Sequence, residues 1–428
     1  MRRLYTILSF LLFSVQVCYS QIVNERKEWV EDVPSQGALN AIMKAYQMTD
    51  IEFTTQGSFH ANPGKDYNAE EKVKGLIYSS VKETNSFVGM DVSFHTFMTA
   101  IHNPRSVIYT EDVSKPPYHG QNCGSYYGTV CSGLVSYAFG LRVYQKTYDY
   151  PSSKYFQIVE DQSSLGVHLA DVINSGGHVQ LVTRIWRNPQ DGKAEEIEIC
   201  EAVHSGCRRV TLSGSELNRL LTLKKNQRKL YRYKYLDSVK YSPLTNFVAV
   251  EGEQLMPFRY NDDICTNRGD KSCYIVGDTV ILNLAKGYRK MEIYKDSKLF
   301  KSFSIGRNID VIIADLPFGD YKARLVKGKK RSEFTYWKVI DTNVSIDTKK
   351  NLVKFQSENA LPIYVEFSTL GGGRPTSGVF ELSDSDIQKG YIDVSSFTSS
   401  LKNTRYVKVH FECDYGRVIS KPKKWIKR

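Results

Sequence analysis

Past residue 20 the chain lacks any apolar run that approaches the thickness of a bilayer, which excludes a helical membrane protein. It also lacks a Cys/His spacing of the zinc-binding kind. Asp262, Asp263, Asn267 and Asp270 come nearest to a calcium loop, but they miss its periodicity. No metal and no other cofactor is expected. Acidic charge is scarce: 46 Asp and Glu face 58 Lys and Arg, a formal charge of +12. The surplus is scattered, with small clusters at Lys224-Lys225, Lys329-Lys330-Arg331 and residues 421–428. With no basic stripe interleaved with a known module, a nucleic-acid partner is excluded. A solvated basic surface, or attraction to an anionic surface or acidic peptides, remains.

What is present is the composition of an ordinary folded protein, 41% hydrophobic and 24% charged over 428 residues. That length predicts more than one domain. Arg2 and Arg3 precede an apolar stretch at residues 4–17, and small residues surround a cleavage point before Gln21. This reads as an export signal over residues 1–20. Lipid anchoring at Cys18 is the weaker reading, because Gln16-Val17 is a poor lead-in for it. Removing the segment takes away Arg2 and Arg3 and no acid, so the charge falls to +10. Seven cysteines then remain, and export permits disulfides. Cys265 and Cys273 flank a turn-rich loop and are expected to pair. Cys200 and Cys207 could close a second loop, and Cys123 and Cys413 are unassigned. The odd count leaves one thiol over.

The chemistry centres on Cys131-Ser132-Gly133-Leu134-Val135-Ser136-Tyr137-Ala138-Phe139-Gly140. A Cys, two small residues and an apolar helix-period run predict a cysteine at the first turn of a buried helix. The unpaired N–H groups at such an end favour an anion, and a thiol placed there ionises more readily. Further on, Gly176-Gly177 leads a strand with His178 at its mouth. The next strand, residues 197–203, pairs with it across the turn at residues 188–192. Cys, His and a polar orienter make a nucleophile–base–orienter set. Two registers are open, one setting Glu201 beside His178 and one setting His204 there. Glu198 is expected to face solvent, and His168 to be a surface residue.

These stretches carry a resemblance. CSGLVSYAFG resembles the nucleophile motif of the NlpC/P60 cell-wall peptidases. Leu169-Ala170-Asp171-Val172-Ile173 followed by GGHVQLVT is similar to their second motif, an L-x-x-G-D-hydrophobic turn before the catalytic His strand. The strand ending at Glu201-Ala202 resembles the third motif as CHAP amidases write it, and Gly75-Leu76-Ile77-Tyr78 resembles the opening G-x-P-Y. The matches lie within residues 75–204. The resemblance implies an α+β papain-like catalytic domain over residues 21–256, with Cys131 as nucleophile, His178 as base and Glu201 (alternatively His204) as orienter. It favours Glu201. Tyr78, Tyr126, Tyr127 and Ser132 are the candidate substrate contacts. Family members often carry Asp just before the Cys, to hold a substrate's amine. Here Val130 stands there, which puts that preference in doubt.

The remainder of the chain is read from periodicity. A helix is expected over residues 36–48, an extended piece over 50–55 and a second helix over 69–78. The fifty residues between Tyr78 and Cys131 read as a helix and a loop beside the cleft. A further helix is expected over residues 215–223. Residues 257–341 and 342–428 read as two β-sandwich modules. Leu316-Pro317-Phe318-Gly319-Asp320-Tyr321 resembles the tyrosine corner of immunoglobulin-like sandwiches. The implied function is an exported monomeric cysteine hydrolase that cuts an amide of peptidoglycan stem peptides, at a γ-D-glutamyl–diamino acid bond. An N-acetylmuramoyl-L-alanine amidase or an acyltransferase would use the same Cys–His pair. A protein of another class, a non-catalytic envelope scaffold, would keep the fold without turnover. The modules would bind an envelope polymer or act as spacers.

Overall fold

The computed structural model describes residues 29–61, 64–79, 87–90, 92, 94–104, 106–110, 127–223, 227–241, 250–251, 254–255, 264–266, 273–284, 286–306, 310–332, 334–369, 375–397, 401, 404–413 and 416–425. The export segment with Cys18, Cys123, Tyr126 and the acidic residues 262, 263 and 270 lie outside these. The chain forms two compact units. One comprises Met1–Ala45, Lys146–Glu201 and Arg209–Lys240; the other comprises Tyr46–Gln145, Ala202–Arg208 and Tyr241–Arg428. No helix among the described residues is long and apolar enough to cross a membrane.

The expected fold class is corrected. Among the described residues strand outweighs helix, 43% against 19%, and no α+β papain-like catalytic domain is indicated there. Among the described residues, the α-helices longer than five residues are α1 (Gln36–Asp50), α2 (Phe94–His102), α3 (Cys131–Ala138), α4 (Gly214–Thr222) and α5 (Asp384–Lys389). Motif resemblance covers short stretches around a few side chains. It says little about the alternating strands that outnumber the helices elsewhere in the chain.

The first unit is built on β1 (Phe156–Ile158), β2 (Val172–Asn174), β3 (Val179–Arg187), β4 (Ala194–Val203), β5 (Gly206–Ser213) and β6 (Lys229–Tyr233), in the sheet order β5-β4-β3-β2-β6-β1. The β1–β6, β6–β2, β2–β3 and β3–β4 pairs are antiparallel. One face, with Ile173, Val182, Ile185, Ile197, Ile199 and Leu230, packs on Leu217 and Leu221 of α4. Local sequence starts that helix where expected: the Ser213 side chain accepts from the Glu216 N–H, and Glu216 returns the bond to the Ser213 N–H. Leu217 and Leu221, four apart, then share the buried side.

In the second unit the helix expected over residues 69–78 is instead a short strand. Lys72–Lys74 pairs antiparallel with Glu52–Thr54, with Val73 opposite Phe53. Two left-handed residues bracket the strand, Glu70 at φ +61° and Gly75 at φ +87°. No α-helix passes through such angles. A Cβ on Gly75 would also lie 1.9 Å from the Cys207 carbonyl oxygen. Glu70 is exposed, so its left-handed strain can be removed without loss of packing. Glu70→Gly is expected to raise stability by about 0.5–1 kcal/mol, the strain relieved less the added chain entropy. Urea titration of the variant checks this.

The C-terminal half holds two β-sandwiches. The first pairs the three strands Ile264–Thr266, Val280–Leu284 and Asp310–Ile313 in one sheet. Its second sheet includes Cys273–Ile275, Lys290–Lys295, Lys298–Ser304, Gly319–Lys327 and Thr335–Ile340. The hairpin turn at Asp296 and Ser297 takes φ of +47° and +66°, the double left-handed step that a two-residue hairpin favours. Tyr321 stacks on buried Trp337, and its hydroxyl donates to the Pro317 carbonyl at 2.7 Å, which is the corner contact read from the sequence. The second sandwich sets Asn343–Asp347, Leu352–Gln356 and Tyr391–Asp393 against a sheet that includes Leu361–Ser368, Pro375–Glu381 and Tyr406–Cys413. Cys273, Ile275 and Ile340 of the first module join Val344, Val365 and Phe411 in one apolar core.

On the other face of the last sheet, Glu366 is buried with Lys408 and His410. Its carboxylate accepts from His410 Nε2 at 2.8 Å and from Lys408 Nζ at 3.2 Å. Burial alone would raise the Glu366 pKa. The bonds and charges of His410 and Lys408 outweigh burial and hold it below the usual carboxylate value. A depressed folded pKa contributes stability that is complete above the unfolded value, 4.5, and is lost as pH falls through the folded value. Wild type is therefore expected to be more stable than Glu366→Gln at neutral pH, with the gap closing in acid, below the ordinary carboxylate value. Melting temperatures at neutral and acid pH check this.

Candidate functional site

In the second unit, Cys131 opens α3. Val130 before it is extended (φ −120°, ψ 172°), and no side chain caps the helix. Leu134, Val135 and Ala138 are fully buried along α3 and hold it in place. Cys131 itself is 6% exposed. Gly133 is required by close packing: a Cβ there would lie 2.4 Å from the Thr129 hydroxyl. Ser132 is buried, and its Oγ lies 2.5 Å from the Tyr144 hydroxyl, so this candidate substrate contact is engaged inside the fold. Tyr127 is 2% exposed, a packed ring rather than a surface contact. Tyr126 lies outside the described residues. Tyr78 bridges to Thr129 in parallel, and its ring lies 5.1 Å from that of His204. Burial, then the neighbouring Cys131 and Cys207, raise the Tyr78 pKa, which keeps it a neutral hydrogen-bond donor.

In the first unit, His178 stands just before β3. Its Nε2 lies 2.8 Å from Glu201 Oε2, and the Glu201 side chain is 6% exposed. Near the turn the strands take the register that would carry His178 to His204, with Arg184 opposite Glu198 and Ile185 opposite Ile197, but it slips by one residue before reaching His178. Leu181 faces Cys200 and Val182 faces Ile199. Continued by one residue, this sets Gln180, not His178, opposite Glu201. His178 reaches the carboxylate diagonally, a distance within reach of long side chains. A bulge between Val182 and Arg184 shifts the pairing away from what the turn sequence alone predicts. Gln180 Nε2 donates to the same Oε2 at 2.7 Å, and Arg228 Nη1 donates to Gln180 Oε1. Sequence reasoning missed Gln180 and Arg228. The one signal in the sequence was that residues 178 and 180 share a strand face.

Other expectations are corrected. His204 is exposed on the two-residue turn between β4 and β5 and packs on Tyr78. Glu198 does not face solvent: its side chain is 13% exposed, takes the Thr183 hydroxyl at 2.8 Å and lies 3.8 Å from Arg209. Cys131, Cys200, Cys207, Cys273 and Cys413 are all thiols. The Cys200–Cys207 and Cys265–Cys273 pairings therefore fail, and counting cysteines does not single out Cys131. A two-residue turn sets Cys207 across from the end of β4, not from Cys200. The side chain of Cys265 lies outside the described residues.

The turn before β2 carries the second motif. Ala170 takes φ +64°, the left-handed conformation available to the glycine of the resembling motif. Asp171 is buried, and its carboxylate accepts from the His168 N–H at 2.7 Å and from Arg232 Nε and Nη2 at 2.8 Å each. This ion pair anchors the start of β2, whose Val172 pairs with Leu181 of β3. His168 thus contributes its backbone to the turn. Gly176 and Gly177 stand in open space: a Cβ added at either would meet nothing within 4 Å.

No family model and no curated protein matches the chain. Solved structures do. The mouse leukocyte-associated immunoglobulin-like receptor 1 ectodomain, a strand-swapped dimer, is 20% identical, with 16% of this chain and 89% of that chain covered and a TM-score of 0.14. The fibronectin(III)-like modules of Clostridium thermocellum CbhA are 14% identical, covering 36% of this chain and 86% of that chain, with a TM-score of 0.18. The CD2-binding domain of CD58 is 5% identical, covering 36% and 96%, with a TM-score of 0.18.

Proposed function

We propose that the protein is an exported cysteine hydrolase that cleaves an amide bond, with Cys131 as nucleophile, His178 as base and Glu201 as orienter. One observation carries the reading: the 2.8 Å bond between His178 Nε2 and the buried Glu201 carboxylate. A buried carboxylate on one ring nitrogen fixes the imidazole tautomer and leaves the other nitrogen, Nδ1, to take a proton. In the proposed reaction Nδ1 accepts the Cys131 thiol proton as the sulfur attacks the substrate carbonyl. Backbone N–H groups at the start of α3 stabilise the oxyanion. Imidazolium then returns the proton to the leaving amine, and water hydrolyses the thioester with His178 again as base.

The substrate rests on the motif resemblance alone: a peptidoglycan stem peptide, cut at a γ-D-glutamyl–diamino acid bond. Mass analysis of peptidoglycan digested with wild type and with Cys131→Ala tests it. New free amines on the diamino acid support the reading. Release at the muramoyl amide moves it to the amidase alternative. Products identical to those of Cys131→Ala sink the hydrolase. The two β-sandwich modules favour a second reading, a non-catalytic envelope-binding protein. Sedimentation with insoluble peptidoglycan in the absence of any Cys131-dependent product would support it.

A further inference from the structure

We infer that Gln180 and Arg228 are positioning residues that hold Glu201 for His178, an inference that rests on the reading of His178 as the base. The register of β3 against β4 places Gln180 beside Glu201, and both are about 95% buried. Glu201 Oε2 receives two donors, His178 Nε2 at 2.8 Å and Gln180 Nε2 at 2.7 Å. Gln180 could present either end of its amide to the carboxylate. Arg228 decides which: a guanidinium only donates, so the oxygen must face Arg228 and the NH2 group must face Glu201. Arg228 immediately precedes β6, and its backbone N–H is fixed on the Leu220 carbonyl at 3.1 Å. The result is a chain of bonds, Arg228 to Gln180 to Glu201, with His178 on the same carboxylate oxygen.

The chain has a chemical consequence. A buried carboxylate stays ionised only while donors and positive charge support it. With Gln180 Nε2 removed, Glu201 loses a donor at Oε2, and the protonated acid becomes competitive. A protonated Glu201 would donate to Nε2 instead of accepting from it. The imidazole proton would then move to Nδ1, the nitrogen that has to accept from the thiol. On β5 the Arg209 guanidinium lies 3.8 Å from Glu198. Burial lowers the Arg228 pKa, while the Glu201 charge works against that shift, consistent with a guanidinium serving the carboxylate.

The test uses the full chain labelled with 15N-histidine, the His178 signal being assigned by its loss in His178→Gln. Wild type is expected as the Nε2–H tautomer at neutral pH. In Gln180→Met the Nδ1–H tautomer should become prominent, and Arg228→Met should move the same way while Arg228→Lys stays close to wild type. In parallel, alkylation of Cys131 should slow about tenfold in Gln180→Met, the worth of one hydrogen bond to a charge. Its acid limb should move to higher pH. Placed on Glu201→Gln, Gln180→Met should change the rate by less than about twofold, because its target is already gone. An unchanged His178 tautomer and titration in both Gln180→Met and Arg228→Met overturns the inference, as does full additivity with Glu201→Gln. The tautomer reports on the relay even where Cys131 proves unreactive, so failure of the hydrolase reading is seen separately, in alkylation of otherwise wild-type protein that ignores His178→Ala.

Discussion

Cys131→Ala is expected to abolish turnover, and His178→Ala to lower it by roughly 10⁴-fold, the usual size of losing one member of a nucleophile–base–orienter set. The two losses should not add, since either change removes the same thiolate. Glu201→Gln keeps the shape and removes the charge. It should cost less than His178→Ala in rate, while shifting the pH profile, because the neutral amide no longer dictates which ring nitrogen carries the proton. A thiol-reactive probe gives the same answer without a substrate. Five described cysteines are thiols, so peptide mapping has to show that Cys131 reacts first and that His178→Ala slows this site alone. Equal labelling of Cys131 and Cys207 in wild type, unaffected by His178→Ala, would leave the hydrolase without its nucleophile.

The second large effect is on stability. Asp171→Ala should destabilise the first unit by about 3–5 kcal/mol, the cost of breaking a buried ion pair from one side. Asp171 is 1% exposed as a side chain and Arg232 33%. Removing the carboxylate also orphans the His168 N–H that it accepts. Asp171→Asn retains an acceptor and should cost clearly less. Chemical denaturation of both variants measures the difference, and a loss below about 1 kcal/mol for Asp171→Ala would place the pair among weak surface bridges. The pH response should contrast with that of Glu366. Burial, the largest influence, raises the Asp171 pKa despite Arg232. A raised folded pKa favours the neutral form, so acidification does not remove stability at this residue. Acid sensitivity is expected at Glu366, where the shift is downward.

The candidate site was legible in part because its signals are local. A Cys before two small residues and an apolar helix period announces a helix start, and α3 begins at Cys131. A glycine pair before alternating apolar residues announces a strand, and β3 begins one residue after His178. Gln180 and Arg228 were not legible. Arg228 lies 48 residues from Gln180, and only the sheet order brings β6 to within one strand of β3. Glu198 was misread for a related reason: its outward place on an alternating strand is covered by Thr183 and Arg209, which the strand's own pattern does not show.

Taken by itself, the amino-acid order determined what needs only neighbours along the chain: the capping box at Ser213, the left-handed hairpin turn at Asp296-Ser297, and the two-residue alternation of the C-terminal sandwiches. Tertiary structure decided what depends on partners far away. It set the pairing of β3 with β4, and so whether Gln180 or His178 stands opposite Glu201. It turned residues 72–74 into a strand against Glu52–Thr54, where short-range periodicity suggested a helix. The reason is physical: a helix closes its hydrogen bonds within four residues, whereas a strand leaves its own open until another segment meets them, and a single bulge moves every later pair by one.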